Sequence, residues 1–139
     1  MIAQCPFCSP AAGKIVLQNR LCYARYDGYP VSEGHLLIVP FRHVASFFEL
    51  GEDERRAAFE LVWKANAKLD SDLHPDGYNV GVNVGQVAGQ TVMHAHIHLI
   101  PRFSGDHPDP RGGIRAVIPQ KAKYREQPLP SRKLLKKRK

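Results

Sequence analysis

The chain has 139 residues, of which 43% are hydrophobic and 24% charged, which is typical of one folded domain with its own core. The formal net charge of +7 resides almost wholly in residues 131–139, where six basic residues occur without an acid, and the remainder holds 14 basic against 13 acidic residues. The body is therefore near neutral, and no apolar run approaches the roughly 20 residues that a membrane span requires.

We expect residues 1–125 to form the domain and residues 126–139 to form a basic tail. Such a tail can tether a protein weakly to nucleic acid or an anionic surface. Its shortness and its lack of aromatic side chains for base stacking favour a solvated terminus instead. Met1–Pro10 has no charged start followed by an apolar run, so no targeting segment is predicted and the expected compartment is the cytoplasm.

Cys5 and Cys8 form a C-x-x-C pair, which can supply half of a tetrahedral zinc site. Two further ligands must come from elsewhere, and His43 is a candidate if it faces the two thiols. A redox dithiol and two unrelated thiols are the open alternatives. In a cytoplasmic protein, three cysteines do not indicate a disulfide framework.

The first half of the chain predicts three strands. Lys14–Gln18 and Leu21–Tyr26 flank Asn19-Arg20 and form a hairpin. Asp27 opens a turn, and the continuous apolar run of Gly34–Pro40 then predicts a buried strand.

One helix is predicted over Glu49–Leu69. Its apolar stripe consists of Ala58, Val62, Ala65 and Leu69, at spacings of four, three and four residues. Trp63 lies off the centre of this stripe, which leaves it either in a second layer of the core or at an interface.

A second hairpin is predicted from strands Tyr78–Val84 and Thr91–Ile100. The glycines of its connection, Gly85–Gln90, permit positive φ and expose backbone N–H groups that can hold phosphate oxygens. Farther along, Ile114–Ile118 is predicted to be a short edge strand.

Three histidines alternate with apolar residues at His94, His96 and His98. In a strand, period two puts the imidazoles on one face and Met93, Ala95, Ile97 and Leu99 on the other. Two chemistries suit three imidazoles on one face, a metal site or nucleophilic catalysis. For attack on phosphorus, the middle histidine is the best-situated nucleophile, because a neighbour on either side can orient it.

The sequence His94-Ala95-His96-Ile97-His98-Leu99-Ile100 resembles the histidine triad pattern, in which three histidines alternate with apolar residues. The similarity extends upstream through Ala88–Val92 and Gly34–Pro40, and covers roughly residues 5–102. It implies an α+β fold with a five-stranded antiparallel sheet and one main helix, usually a homodimer. It also implies an enzyme that binds nucleotides and acts on their α-phosphate.

The resemblance implies a role for each matching residue. His96 would be the nucleophile that forms a nucleotidyl-histidine, His98 would contact the α-phosphate oxygens, and His35 would support the triad. The remaining contacts would be Asp27 to the ribose, Asn83 to the scissile phosphate, and Gln90 and Thr91 to bridging or leaving-group oxygens.

Some bacterial members of the family bind structural zinc, and the corresponding ligands here are Cys5, Cys8, His43 and His94. The first triad histidine would then be structural rather than catalytic. No metal requirement is expected for the chemistry beyond Mg²⁺ carried by the substrate's phosphates.

The third triad histidine favours hydrolysis, because the phosphorolytic branch of the family has glutamine there. The expected function is a dinucleoside polyphosphate hydrolase with adenosine as the base. The alternatives are a purine nucleoside phosphoramidase and a zinc-stabilised nucleotide-binding module.

Overall fold

The computed structural model describes residues 4–123. Within that range the chain forms one α-helix, α1, and five strands, joined by loops and short 3₁₀ turns. The elements are β1 (Leu17–Gln18), β2 (Cys22–Tyr26), β3 (Leu36–Pro40), α1 (Glu52–Leu73), β4 (Gly77–Gly81) and β5 (Ile97–Arg102). The strands make one antiparallel sheet in the order β1-β2-β3-β5-β4, which confirms the predicted α+β fold.

Helix α1 packs on one face of this sheet and provides the main core. The predicted stripe is correct, and Leu61 joins it. The buried residues of this core are Ala58, Leu61, Val62, Ala65 and Leu69 from the helix, with Cys22, Ala24, Leu36, Ile38, Ile97 and Leu99 from the sheet. Trp63 is 72% exposed, which excludes a core position for it.

Helix α1 begins and ends later than predicted. Residues 47–49 form a separate 3₁₀ turn, and the Glu54 carboxylate accepts a hydrogen bond from the Gly51 N–H at 3.0 Å, which fixes the helix start. The helix continues to Leu73 and stops at His74, whose φ of 50° is left-handed.

Gly34 permits the close approach of the helix end to the start of β3. Its φ is +84°, and a Cβ there would come within 2.6 Å of the Leu73 Cδ1 atom and 2.9 Å of the Leu69 Cδ2 atom. Glycine is therefore required both by the backbone conformation and by the space.

The β1–β2 hairpin is confirmed, although β1 is shorter than predicted. The Asn19 side-chain oxygen accepts hydrogen bonds from the Leu21 and Cys22 N–H groups and closes the turn. The second pair, β4–β5, is also antiparallel, but residues 82–96 connect its strands in place of a short loop. Residues 113–117 form a 3₁₀ turn rather than the predicted edge strand.

The sheet face opposite α1 carries a row of paired residues that crosses three strands. Arg25 of β2 pairs with Leu37 of β3, and Leu37 pairs with His98 of β5. Cross-strand partners project to the same face, so these three side chains share one side of the sheet. Phe7 packs over this face with Tyr23 and Leu37.

The chain divides after Asp106 into two compact units. In the described part of the second unit, residues 107–123, the Arg111 guanidinium pairs with Asp109 at 2.9 Å, and the Arg115 guanidinium donates to the Lys121 and Ala122 carbonyls. The predicted basic tail lies outside the described residues. Among residues 4–123 no helix combines the length and apolarity needed to span a bilayer.

Candidate active site

A cavity of about 320 Å³ opens on the sheet face opposite α1. Its walls combine imidazoles, polar groups and apolar side chains. The lining residues are Pro6, Phe7, Arg25, Asp27, Gly28, Tyr29, Leu37, Asn83, Gly89, Thr91, Val92, His96 and His98. Two of the three triad histidines therefore line one cavity.

His96 lines this cavity, and the partner of its Nδ1 atom leaves a lone pair on the other ring nitrogen. The Nδ1–H group donates to the His94 carbonyl at 2.7 Å. A neutral imidazole with its proton on Nδ1 has an unprotonated Nε2, and this is the atom that can attack an electrophile. The residue is 9% exposed, and its ring contacts the Phe7 ring at a centroid distance of 5.2 Å.

His98 has the opposite tautomer, which a chain of hydrogen bonds sets. The Val31 N–H donates to His35 Nδ1 at 3.2 Å, so the His35 proton resides on Nε2. That N–H donates to His98 Nδ1 at 2.9 Å, which leaves the His98 proton on Nε2. This last atom is buried and lacks a hydrogen-bond partner among the described residues.

Burial keeps both members of this chain neutral. It lowers the pKa of His98 to about 4, with a further lowering from the neighbouring His96 and His35. Burial also lowers the pKa of His35, against an opposing effect of Asp27. At neutral pH His98, a residue of the cavity wall, therefore carries a neutral N–H whose hydrogen-bonding capacity is unfilled among the described residues.

The other predicted nucleotide contacts divide into two groups. Asp27, Asn83 and Thr91 line the cavity. Asp27 accepts a hydrogen bond from the Tyr29 N–H at 2.8 Å, and its second oxygen lies 3.4 Å from His35 Nε2. Gln90 does not line the cavity.

Gln90 instead holds the connection before the triad in shape. Its side chain, 4% exposed, accepts from the Gly85 N–H at 2.9 Å and donates to the Ala45 and Val92 carbonyls at 2.8 and 3.1 Å. The φ values of Gly85 and Gly89 are +88° and +94°, as the sequence predicted for these glycines. Gln90 thus stabilises the glycine loop through backbone contacts.

The first triad histidine serves a separate cluster. His94 is fully buried, and its Nε2–H donates to the Pro40 carbonyl at 2.7 Å, which leaves Nδ1 unprotonated. That atom lies 3.4 Å from Cys5 Sγ and 3.2 Å from His43 Nδ1, and His43 Nδ1 lies 3.2 Å from Cys8 Sγ.

The predicted strand through the triad is shorter in the structure. Strand β5 begins at Ile97, so His94 and His96 precede it. Met93 is exposed and does not lie on the buried face that the sequence predicted for it.

The cluster of Cys5, Cys8, His43 and His94 fits a tetrahedral metal ion. Zn–N bonds of about 2.0 Å and Zn–S bonds of about 2.3 Å hold their donor atoms roughly 3.3–3.8 Å apart. The four donor atoms here all lie within 4.8 Å of one another, and the contacts given above span 3.2–3.4 Å. Two thiols and two imidazoles are also the donor types that zinc prefers.

A second group, Asp27, His35 and His98, has donor atoms equally close together. Its shortest distance, 2.9 Å between His35 Nε2 and His98 Nδ1, is that of a hydrogen bond. Since two nitrogens on one zinc ion stand about 3.3 Å apart, we interpret this group as the hydrogen-bonded support of His98.

Comparison with known proteins identifies the family. Residues 10–105 match the HIT domain. The chain belongs to the HIT family. Members of this family are nucleotide hydrolases or transferases, and this HIT protein is one of its enzymes, with a nucleotide as its substrate.

Two characterised relatives are each 35% identical to this HIT protein. One is the AP-4-A phosphorylase of Mycobacterium tuberculosis, aligned over 102 residues that cover 73% of this chain and 52% of that protein. The other is the adenosine 5'-monophosphoramidase of Candida albicans, aligned over 108 residues that cover 72% and 71% of the two chains. The chain thus spans about half of the phosphorylase.

Two solved structures share the fold. A HIT family protein from Bacillus subtilis superposes with a TM-score of 0.68 at 30% identity, over 75% of this chain and 77% of that one. A zinc-bound histidine triad family protein from Mycobacterium smegmatis superposes with a TM-score of 0.63 at 27% identity, over 73% and 76%.

The sequence did not reveal the part that Phe7 and Arg25 play in this HIT protein. Phe7 lies between two candidate metal ligands, and its backbone carbonyl accepts a hydrogen bond from the Tyr23 hydroxyl at 2.7 Å. Arg25 lies on β2, and Asp27 follows just after the strand ends, so period-two spacing was the available signal.

Proposed function

We propose that this HIT protein hydrolyses dinucleoside polyphosphates at the α-phosphate, through a covalent nucleotidyl-histidine. One observation carries the proposal. His96 and His98 line the same cavity, and the contacts at their Nδ1 atoms leave a lone pair on His96 Nε2, suited to attack phosphorus, and an N–H on His98 Nε2, suited to donate to its oxygens.

The reaction has two steps. His96 Nε2 attacks the α-phosphorus, a P–N bond forms, and the P–O bond to the departing nucleoside polyphosphate breaks. Water then attacks the same phosphorus, the P–N bond breaks, and a nucleoside monophosphate leaves. The neutral His98 donor stabilises the negative charge that develops on the phosphoryl oxygens in both steps.

The remaining contacts follow from the lining of the cavity. Asp27 accepts from the ribose hydroxyls, and Asn83 and Thr91 donate to the phosphate chain. Mg²⁺, where present, binds to the phosphates of the substrate rather than to the imidazoles.

The relatives support a phosphoramidase as the second candidate. One of them is an adenosine 5'-monophosphoramidase, and its reaction needs the same nucleophile and the same donor with an amine as the leaving group. The other is an AP-4-A phosphorylase, which makes inorganic phosphate an acceptor to be tested in place of water.

The test is an assay of the full chain with diadenosine tetraphosphate, with and without inorganic phosphate, and in parallel with an adenosine phosphoramidate. We expect AMP from the tetraphosphate at a rate that phosphate does not change, and His96→Asn should lower kcat at least about 1,000-fold while AMP still binds. ADP formation that depends on phosphate would indicate phosphorolysis. Faster turnover of the phosphoramidate would favour the second candidate, and trace turnover of both would favour a binding module.

We also propose that Cys5, Cys8, His43 and His94 hold one structural zinc ion. The fit of their donor atoms to a tetrahedron supports this, as does the zinc-bound relative from Mycobacterium smegmatis. Such an ion joins the amino-terminal loop to the segment before β5 and adds its binding free energy to folding.

A homodimer through the exposed side of α1 and β4 is the third part of the proposal. Strand β4 is an edge of the sheet, and the groove beside it is almost wholly apolar. Its exposed members are Phe59, Trp63 and Val80. A second copy of the chain would remove this apolar surface from water.

A further inference from the structure

Tyr23 has a buried hydroxyl to which the mechanism above assigns no part. The residue lies on β2, is 0% exposed, and packs with Phe7, Leu37 and Val39 on the sheet face opposite α1. Its hydroxyl donates to the Phe7 carbonyl at 2.7 Å, the distance of a well-formed hydrogen bond. Burial raises the pKa of Tyr23 to about 12, so the hydroxyl keeps its proton and remains a donor at neutral pH.

This hydrogen bond attaches the middle of the amino-terminal loop to the sheet. Phe7 lies between the candidate metal ligands Cys5 and Cys8, and the bond from the Cys8 N–H to the Cys5 carbonyl, at 3.3 Å, is internal to the loop. Among the described residues, only the Tyr23 hydroxyl joins the main chain of residues 5–8 to the sheet by a hydrogen bond. The bond can therefore hold the two thiols near the other ligands before an ion binds.

The same loop provides the wall that contacts the proposed nucleophile. The Phe7 ring meets the His96 ring edge to face, with centroids 5.2 Å apart and an angle of 78° between the planes. The His94 carbonyl and the His98 ring provide the other contacts of the His96 ring. Movement of Phe7 away from the sheet would open space beside His96 and let its ring turn, and a nucleophile reacts slowly when it is poorly oriented.

We propose that Tyr23 is a positioning residue that fixes the amino-terminal loop for both the metal ligands and the nucleophile. Through the Phe7 carbonyl it holds the two thiols in ligating positions and the Phe7 ring against His96. The hydroxyl holds the middle of the loop, and the zinc ion proposed above, when bound, holds its two ends. The inference rests on the proposed function for the role of His96, and on the proposed zinc site.

The first experiment measures the zinc dissociation constant of the full chain by competition with a chromophoric chelator. Tyr23→Phe deletes the hydroxyl and retains the ring. We expect the constant to rise about five- to tenfold, because fewer of the metal-free molecules then have the loop in its ligating conformation. Tyr78→Phe is the matched control. It deletes a hydroxyl that donates to the Asp70 carboxylate at 2.7 Å, between β4 and α1, and should leave the constant within about twofold of the wild-type value.

The second experiment measures AMP release from diadenosine tetraphosphate before and after a zinc-selective chelator removes the metal. Between the metal-free proteins, kcat should be about tenfold lower for Tyr23→Phe than for the wild type, with KM within about threefold. Added zinc should reduce the difference in kcat to about threefold or less, because the ion then holds the loop at its ends. A hydroxyl with a merely structural role would not produce a difference in kcat that depends on zinc.

An unchanged zinc dissociation constant in Tyr23→Phe would overturn the inference. So would an equal rise in Tyr23→Phe and Tyr78→Phe, because that pattern indicates a general loss of stability, and so would equal kcat values for the two metal-free proteins. A wild-type chain that binds no zinc would overturn it as well, because the loop would have no metal ligands to position. Absence of AMP release by the zinc-loaded wild-type protein would overturn the proposed function alone, and the zinc constants would still decide the role of Tyr23.

Discussion

At the scale of single residues, the site depends on two neighbouring histidines that hold their protons on different nitrogens. His96 meets a carbonyl at Nδ1 and so keeps its proton there, whereas His98 meets an N–H donor at Nδ1 and carries its proton on Nε2. In the proposed mechanism the same side chain thus serves as a nucleophile at one position and as a hydrogen-bond donor two residues later. The group that contacts Nδ1 determines which ring nitrogen carries the proton.

The depressed pKa of His98 predicts a dependence of folding stability on pH. The pKa is about 4 in the folded protein and about 6.5 in the unfolded chain, so between these values the unfolded chain binds more protons and acid destabilises the fold. The loss should approach roughly 3 kcal/mol by pH 4 and is absent above pH 7. Urea unfolding at pH 7 and pH 4.5 should show a smaller difference for His98→Gln than for the wild-type protein. The metal cluster is present in both proteins, so its own pH dependence cancels in the comparison. Equal differences between pH 7 and pH 4.5 in the two proteins would contradict the low pKa assigned to His98.

Residue spacing predicted the positions of some of these side chains and missed others. The alternation of His94, His96 and His98 was enough to draw attention to these three residues, of which His96 and His98 line the cavity and His94 lies in the metal cluster. The position of Gln90 in the motif indicated a substrate contact, but the fold directs its amide to three backbone groups, which a linear pattern does not record. Arg25 is an ordinary strand residue until its register with Leu37 and its contact with Phe7 are known.

At the scale of elements, the amino-terminal loop belongs to two structures at once. Cys5 and Cys8 lie in the metal cluster, and Pro6 and Phe7, between them, form a wall of the cavity. Period two predicted a strand over Thr91–Ile100, which is correct only from Ile97 onward, because the chain bends at residues 92–94. The hydrogen-bonded ladder of β5 starts only at Ile97, because the preceding residues turn toward the cluster.

Metal analysis tests the assignment of this loop. The wild-type protein should contain about one zinc per chain, and Cys5→Ser should contain little, because one of four ligands is lost. Its thermal midpoint should fall, since metal binding contributes to folding. Cys22→Ala is the matched control, a buried thiol in the α1 core that should retain the zinc. A metal-free wild-type protein, or full zinc content in Cys5→Ser, would exclude the site.

At the scale of the whole first unit, the sheet separates two kinds of surface. One face is closed by α1, and the other holds the cavity and the metal cluster. Alternation was used only for the triad segment, the continuous apolar run of β3 predicted a buried strand, and the helix stripe predicted the side of α1 that packs on the sheet. The sequence indicated only that Trp63 lies in a second core layer or at an interface. It did not predict the groove between α1 and β4, because that groove depends on which strand forms the edge of the sheet.

Trp63 provides the test of the dimer. Sedimentation velocity at micromolar concentration should show a dimer for the wild-type protein and a monomer for Trp63→Glu, which introduces a charge into the apolar groove. Phe48→Glu alters another exposed aromatic residue, 79% accessible, outside the groove and should remain dimeric. A wild-type monomer, or an unchanged dimer in Trp63→Glu, would rule out this face.

The proton on His96 Nδ1 is held by a main-chain oxygen, whereas that on His98 is dictated by another side chain, His35. No exchange of one amino acid elsewhere in the protein deletes a peptide carbonyl. Substitutions of neighbouring side chains therefore do not remove the group that sets the tautomer of His96, the proposed nucleophile. The tautomer of His98, in contrast, can be changed by substituting His35. Laboratory evolution for activity at a different pH should therefore accumulate changes at position 35 rather than around His96.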